Sequence, residues 1–157
     1  MNAPEACIPD PTQNTTALIL EQLGMGGGEL VGVQTNQSFR IEFENQFCVE
    51  LYPLSNNICR ISARLSRLAK SLETQNRQIE KALDLQRDLI HRTPHASALA
   101  ISNHDNCLRS VLDLQWPTTA RLQMIGHFQD SSEDLMQRFQ EFVHFAYAFK
   151  LTFLAEG

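Results

Sequence analysis

The order of hydrophobic patterns along the 157-residue chain is the feature that most constrains its fold. Apolar and polar residues alternate over residues 39–43 and again over 47–51, and this period of two predicts two strands joined by a turn at 44–46. Pro53 is expected to end the second strand, because proline cannot donate to a sheet ladder. A third apolar run over 58–65 completes the pattern, so the segment predicts an antiparallel meander with one apolar face.

A helix is predicted before this meander. Asp10 and Pro11 suit the cap and the first position of a helix, apolar residues recur as far as Leu23, and Gly24 suits the residue just beyond the end. The glycine-rich residues 24–28 lack the Lys-Ser/Thr pair of a phosphate loop and follow a helix rather than a strand. We therefore expect a connector there rather than a phosphate site.

The second half of the chain predicts a long helix, a hairpin and a closing helix. The helix covers 66–91 and has a narrow apolar stripe, and the two short strands cover 98–102 and 107–114. The closing helix begins near Ser131, with acids in its first turn and an aromatic face after it. The expected fold is one α+β domain of order α-β-β-β-α-β-β-α, with a twisted antiparallel sheet flanked by helices. Its expected parts are a flexible N-terminal segment 1–11, the domain 12–150 and a C-terminal tail 151–157.

Composition narrows the class of function. The formal net charge is −5 and the sequence pI is about 5.5, which argues against a protein that follows a phosphate backbone. No apolar run approaches the roughly 18 residues of a membrane span, and Met1–Pro11 does not have the pattern of a secretory signal. Cytoplasmic residence is therefore expected.

The sequence offers no recognised catalytic or metal-binding motif, so we expect no enzyme activity, no cofactor and no metal. His91 and His95 have a helical metal-ligand spacing, but Pro94 breaks the helix between them. The four cysteines form no Cys-x-x-Cys pair and are expected to be reduced. The enzymatic alternative is a site assembled from scattered residues, namely Cys107 with His104 or His127.

A basic stretch lies in the middle of the chain. Residues 60–92 hold eight bases and four acids, whereas residues 1–59 hold one base and seven acids. The acids are interleaved with the bases and no aromatic residue stands among them, which favours a solvated helix face. Nucleic-acid binding stays a weaker alternative, through Arg60, Arg64, Arg67 and Lys70.

Residues 12–150 resemble the class I type III secretion chaperones, the CesT/SycE-like family. The resemblance is one of element order and pattern, and it is carried by ALILEQLG at 17–24, FRIEFENQFCVEL at 39–51, ALAISNHDNCLRSVLDL at 98–114 and SSEDLMQRFQEFVHFAYAF at 131–149. In length and Gln/Asn content the chain is similar to the HpaB-like general export-control chaperones.

The resemblance implies a cytoplasmic homodimer that does not hydrolyse ATP. Such a chaperone binds the N-terminal segment of an effector protein in non-globular form and promotes its export, with the export-apparatus ATPase as a possible further partner. It implies no binding of nucleic acid and no membrane insertion. The effector-binding residues it implies are Leu20, Leu23, Phe39, Ile41, Phe43, Val49 and Leu51. The dimer-interface residues it implies are Leu72, Ile79, Leu83, Leu99, Ile101 and Val111.

A second hypothesis is an α+β protein-interaction or regulatory domain that is not tied to secretion. It would capture a folded protein rather than an extended N-terminal segment. The two hypotheses therefore differ in whether binding survives removal of the first residues of the partner.

Overall fold

The computed structural model describes residues 14–24, 37–43, 47–90, 97–116 and 132–156. The elements, in chain order, are α1 Thr15–Gln22, β1 Phe39–Glu42, β2 Cys48–Ser55, β3 Ile58–Arg67, α2 Leu72–Ile90, β4 Ala98–Ser102, β5 Cys107–Gln115 and α3 Ser132–Glu156. The α-β-β-β-α-β-β-α order and the α+β class predicted from the sequence are confirmed.

Helix α1 begins later than the sequence predicted. Asn14, not Asp10, is the N-cap: its backbone is extended, and its side-chain oxygen accepts a hydrogen bond from the Ala17 amide at 2.8 Å. The prediction of a start at Pro11 is wrong, because an extended Asn14 interrupts any helix there; residues 10–13 themselves lie outside the described residues. The end is as expected, since Gly24 has a left-handed φ of 76° and donates to the Glu21 carbonyl.

The five strands form one antiparallel sheet of order β1-β2-β3-β5-β4, so β1 and β4 are its edges. Strand β2 alternates regularly between buried and half-exposed residues up to Pro53, as a strand with one covered face should. The Phe43 amide donates to the Phe47 carbonyl at 2.8 Å and closes the first hairpin. The turn predicted at 44–46 lies outside the described residues.

Strand β2 continues through Pro53 to Ser55, so the prediction that Pro53 ends it is wrong. Pairing Phe43 with Phe47 in an antiparallel register sets Phe39, the first residue of β1, opposite Leu51. Pro53 therefore lies beyond the end of β1. A missing amide hydrogen costs no ladder bond at a position where the neighbouring strand has ended.

Strand β3 extends to Arg67, and α2 begins at Leu72 rather than at Ser66. Two backbone amides of the link between them donate hydrogen bonds, one to the β4–β5 turn and one to a side chain of α2. The Leu68 amide donates to the Asn106 carbonyl at 2.9 Å, and the Ala69 amide donates to Oε1 of Gln78 at 2.8 Å. These bonds provide partners for the amides of residues 68 and 69, which lie before the first residue of the helix.

The turn between β4 and β5 is tied to the start of α2. Asn106 has a left-handed φ of 52°, which asparagine tolerates better than most residues. Its side-chain oxygen accepts from Nε2 of Gln75 at 3.2 Å. Next to it, Arg109 donates to Asp105 at 2.9 Å and to the Ser62 hydroxyl at 3.3 Å. The Gln75 amide therefore ties this turn to α2.

Stability at low pH should depend on Asp105. Burial raises the pKa of this carboxyl, but hydrogen bonds from Arg109 and Ser102 outweigh burial and lower the pKa from 3.8 to about 2. Because the pKa of Asp105 is lower in the folded state than in the unfolded state, its contribution to stability is present above about pH 4 and is lost as the pH falls through about 2. We expect the free energy of unfolding of the parent chain, measured with urea, to fall between pH 5 and pH 2 by about 1–2 kcal/mol more than that of an Asp105→Asn variant. Parallel pH curves for the two proteins would contradict this.

Helix α3 has the features predicted for the closing helix. Glu133 and Asp134 lie in its first turn, where carboxylates favour the positive end of the helix dipole. The helix continues to Glu156, so the residues from 151 onward that were expected to form a tail are helical as far as Glu156. The side chains that it buries recur at three- and four-residue spacing: Leu135, Phe139, Phe142, Phe145, Ala146, Phe149 and Phe153.

Contacts divide the chain into two units, and each is described by itself. In the first unit, which includes Glu50–Ile61, the Thr15 amide donates to the Asn56 carbonyl at 2.8 Å and the Trp116 amide to the Asn57 carbonyl at 3.0 Å. These bonds fasten the start of α1 and the end of β5 to the β2–β3 turn. The second unit, which includes Ser62–Leu112, contains α2, the β4–β5 turn and the aromatic half of α3.

Candidate interaction surfaces

The residues predicted to bind effectors fall into two groups by burial. Four of them are 7% exposed or less and belong to the core: Leu20, Ile41, Val49 and Leu51. The other three are half-buried: Leu23, Phe39 and Phe43. Only a side chain with free surface can contact a bound peptide without rearrangement, so the prediction now depends mainly on the second group.

Phe43 marks one end of an aromatic cluster in the second unit. Its ring centroid lies 6.4 Å from that of Phe47, and Phe47 meets Tyr147 of α3 edge-to-face at 5.3 Å. The Lys150 ammonium lies 5.7 Å from the Phe47 ring centroid. The cluster fixes Phe43 in position and leaves part of its surface accessible, just after edge strand β1.

The residues predicted to form a dimer interface all lie in the second unit and retain exposed surface. Leu72 is 70% exposed, Leu83 54% and Ile101 43%, whereas Ile79, Leu99 and Val111 are half-buried. A pair of leucines this exposed on one helix is a surface that association would remove from water.

Helix α2 presents two separate apolar stripes. The inner one contains Ala82 and Leu85, which are buried. Leu72 and Leu83 lie on the outer one, about 100° around the helix from Ala82 at 100° per residue. A helix that served only this monomer's core would need one stripe, so the outer stripe calls for another explanation.

The sequence did not single out three further exposed leucines. Leu151 and Leu154 are 51% and 54% exposed on the last turns of α3, and Leu54 is 41% exposed near the end of β2. Periodicity could have flagged the pair on α3, because both fall off the three- and four-residue spacing of the phenylalanines. Alternation in β2 could have flagged Leu54, because it falls on the same face as the half-exposed Cys48, Glu50 and Tyr52.

Two of the three thiols that the structure describes are buried, and Cys48 is half-buried. Burial raises the pKa of Cys59 to about 11, and Cys107 has no exposed surface. His104 is exposed in the β4–β5 turn, and His127 lies outside the described residues. Among the described residues, no three side chains of the metal-ligand type gather into a cluster.

The basic stretch is partly neutralised. Arg60 donates two hydrogen bonds to Asp113, at 2.8 and 3.1 Å, so one of the four bases proposed to bind nucleic acid has an acidic partner. Arg64, Arg67 and Lys70 are exposed.

The described helices include none that is both long enough and apolar enough to cross a membrane.

Comparison with solved structures finds proteins that resemble this chain in fold. No protein-family description and no curated protein sequence matches the chain. A chain of the ExsC–ExsE complex matches with a TM-score of 0.56 and 12% identity, over 90% of this chain and 95% of that one. A chain of the HopA1–SchA chaperone–effector complex matches with a TM-score of 0.46 and 9% identity, over 87% of this chain and 97% of that one. The Yersinia pestis type III secretion chaperone SycH, in complex with a fragment of YscM2, matches with a TM-score of 0.45 and 15% identity, over 86% of this chain and 98% of that one.

The chain shares its fold with that chain of the ExsC–ExsE complex, and the chaperone-like fold expected from the sequence is confirmed as a likeness of fold. At 12% identity the likeness is one of fold. The finer likeness to HpaB-like chaperones stays a prediction.

Proposed function

We propose that this protein is a cytoplasmic type III secretion chaperone that binds N-terminal segments of effector proteins in non-globular form and promotes their export. The observation that carries the proposal is the confirmed order of three helices around a five-stranded sheet, shared with a chain of the ExsC–ExsE complex over nearly the whole length of both. The proposal includes no enzymatic step. Contact with the export-apparatus ATPase is part of the same proposal.

Edge strand β1 supports capture of an extended segment. It is the outermost strand on its side of the sheet, and the half-buried Phe39 and Phe43 lie at its two ends. An extended peptide can add to such an edge through its main chain and place alternate side chains against apolar residues. Main-chain pairing depends little on sequence, which suits a protein that serves more than one effector.

The proposal also includes a homodimer formed through α2 and the β4–β5 hairpin. Its support is the outer stripe of α2 together with exposed Ile101 on edge strand β4. Burying large apolar side chains is the main favourable term in stable association. Two copies would also double the number of peptide-binding edges in the assembly.

Affinity capture of the tagged chain from its bacterium under secretion-inducing conditions tests the proposal. Mass spectrometry should identify secreted proteins, and deleting their N-terminal segments should abolish capture. Capture of a folded cytoplasmic protein that is unaffected by such deletions would favour the alternative, an interaction domain not tied to secretion.

Phe39 should contribute directly to effector binding. A Phe39→Ser substitution removes a half-exposed ring at the end of β1, and we expect affinity for a captured effector segment to fall about tenfold. Leu54→Ser is the matched control, because Leu54 is also a partly exposed apolar strand residue but lies outside the predicted site. Calorimetric titration of both variants would contradict the assignment if Leu54→Ser weakened binding as much as Phe39→Ser.

A further inference from the structure

Edge strand β1 directs the main-chain groups of two of its residues away from β2. The bond from the Phe43 amide to the Phe47 carbonyl fixes the register of the two strands. In an antiparallel pair, the residues that bond to the partner strand alternate with residues that do not. Ile41 therefore bonds to β2 as Phe43 does, whereas the amides and carbonyls of Arg40 and Glu42 point toward the edge of the sheet.

The side chains of the same two residues carry opposite charges. Arg40 and Glu42 are both exposed, and because they are two positions apart they lie on one face of β1. Phe39, Ile41 and Phe43 lie on the other face. Residues directly opposite each other on adjacent strands have their side chains on the same face, with Cβ atoms about 5 Å apart. A strand added at this edge would therefore meet one base and one acid, in a fixed order.

The direction of the added strand decides which charge order it must have. The sheet is antiparallel, and an antiparallel neighbour is slightly more stable per residue than a parallel one. A strand that runs against β1 meets Glu42 first and Arg40 two residues later. Opposite charges directly across a strand pair attract, and like charges repel. From its N-terminus, the favoured segment therefore reads apolar, basic, apolar, acidic, apolar, with its apolar residues on the phenylalanine face.

We propose that the β1 edge selects among extended effector segments by charge order, with a basic residue opposite Glu42 and, two residues later, an acidic residue opposite Arg40. The inference rests on the proposed function, and adds a preference to main-chain pairing that depends little on sequence. Both side chains are exposed, so the preference is graded rather than absolute. It should also weaken as the salt concentration rises, because salt screens exposed charges.

Two synthetic peptides of identical composition test the charge order. One carries Val-Lys-Val-Glu-Val between threonines, and the other carries Val-Glu-Val-Lys-Val between threonines. Titration of the isotope-labelled chain, followed by nuclear magnetic resonance, should show the first peptide binding about three- to tenfold more tightly than the second. Binding should also protect the amides of Arg40 and Glu42 from hydrogen exchange, whereas the Ile41 amide, which already bonds to β2, should change little.

A variant with the two charges exchanged gives the sharper test. Arg40→Glu combined with Glu42→Arg keeps the net charge of the chain and reverses the order along β1, so we expect the preference between the two peptides to reverse. The matched control is Glu73→Arg combined with Arg77→Glu, which exchanges an exposed pair on α2. The control variant should keep the preference of the parent chain.

Three results would overturn the inference: equal affinity of the parent chain for the two peptides, an unchanged preference in the β1 variant, or no binding of either peptide at millimolar concentration. Effector capture by the parent chain is measured separately. If effectors are captured but the peptides show no preference, the charge selection fails and the chaperone function stands. If no effector is captured, the proposed function itself fails.

Discussion

Replacing Phe149 by alanine is expected to lower the free energy of unfolding by about 3–5 kcal/mol. Phe149 has no exposed surface, and its ring lies 6.3 Å from that of Phe145 and 6.1 Å from that of Phe153. Removing it leaves a cavity beside two aromatic neighbours. Urea unfolding at a fixed protein concentration measures the loss.

Leu151→Ala is the control for Phe149→Ala. It truncates an apolar residue two positions along the same helix, but one that is 51% exposed, and it should cost less than about 1 kcal/mol. Equal losses in the two variants would show that the aromatic half of α3 does not form the core of its unit. A large loss only in Phe149→Ala confirms that it does.

Replacing both Leu72 and Leu83 by glutamate should raise the dissociation constant of the proposed dimer by about 100-fold or more. The two side chains are the most exposed large apolar residues of α2, and a dimer would bury four of them. Glutamate is a good helix former, so the isolated chain should keep α2 and its fold. Size-exclusion chromatography with light scattering reports the change in mass.

The matched control is the double change Leu151→Glu and Leu154→Glu. These leucines are as exposed as Leu83 and lie in the same unit, but on α3. The account predicts a monomer for the α2 variant and a dimer for the α3 variant. A monomer from the α3 variant alone would move the interface from α2 to the end of α3.

The sequence predicted the fold because its strong signals were periodic. Two runs of strict alternation defined β1 and β2, and the phenylalanine spacing defined α3. Element ends were less predictable where a distant residue decides them. The Leu68 amide, in the link before α2, donates to the carbonyl of Asn106 far along the chain, and no local pattern contains that contact.

The candidate sites were predicted less well than the fold. Alternation indicates that Phe39, Ile41 and Phe43 share a face, but it does not show how far each of them is covered by other residues. In the structure Ile41 is 7% exposed, while the two phenylalanines at the ends of the strand keep accessible surface. Burial is a property of packing between elements, and one strand's pattern does not contain it.

The central claim is that this chain binds an extended N-terminal segment rather than a folded domain. Its most direct test is calorimetric titration of the purified chain with a captured effector, with that effector's isolated N-terminal segment, and with the effector lacking that segment. The account predicts that the first two bind with similar affinity and that the third does not bind. Binding of the truncated effector as tightly as the intact one would contradict the claim.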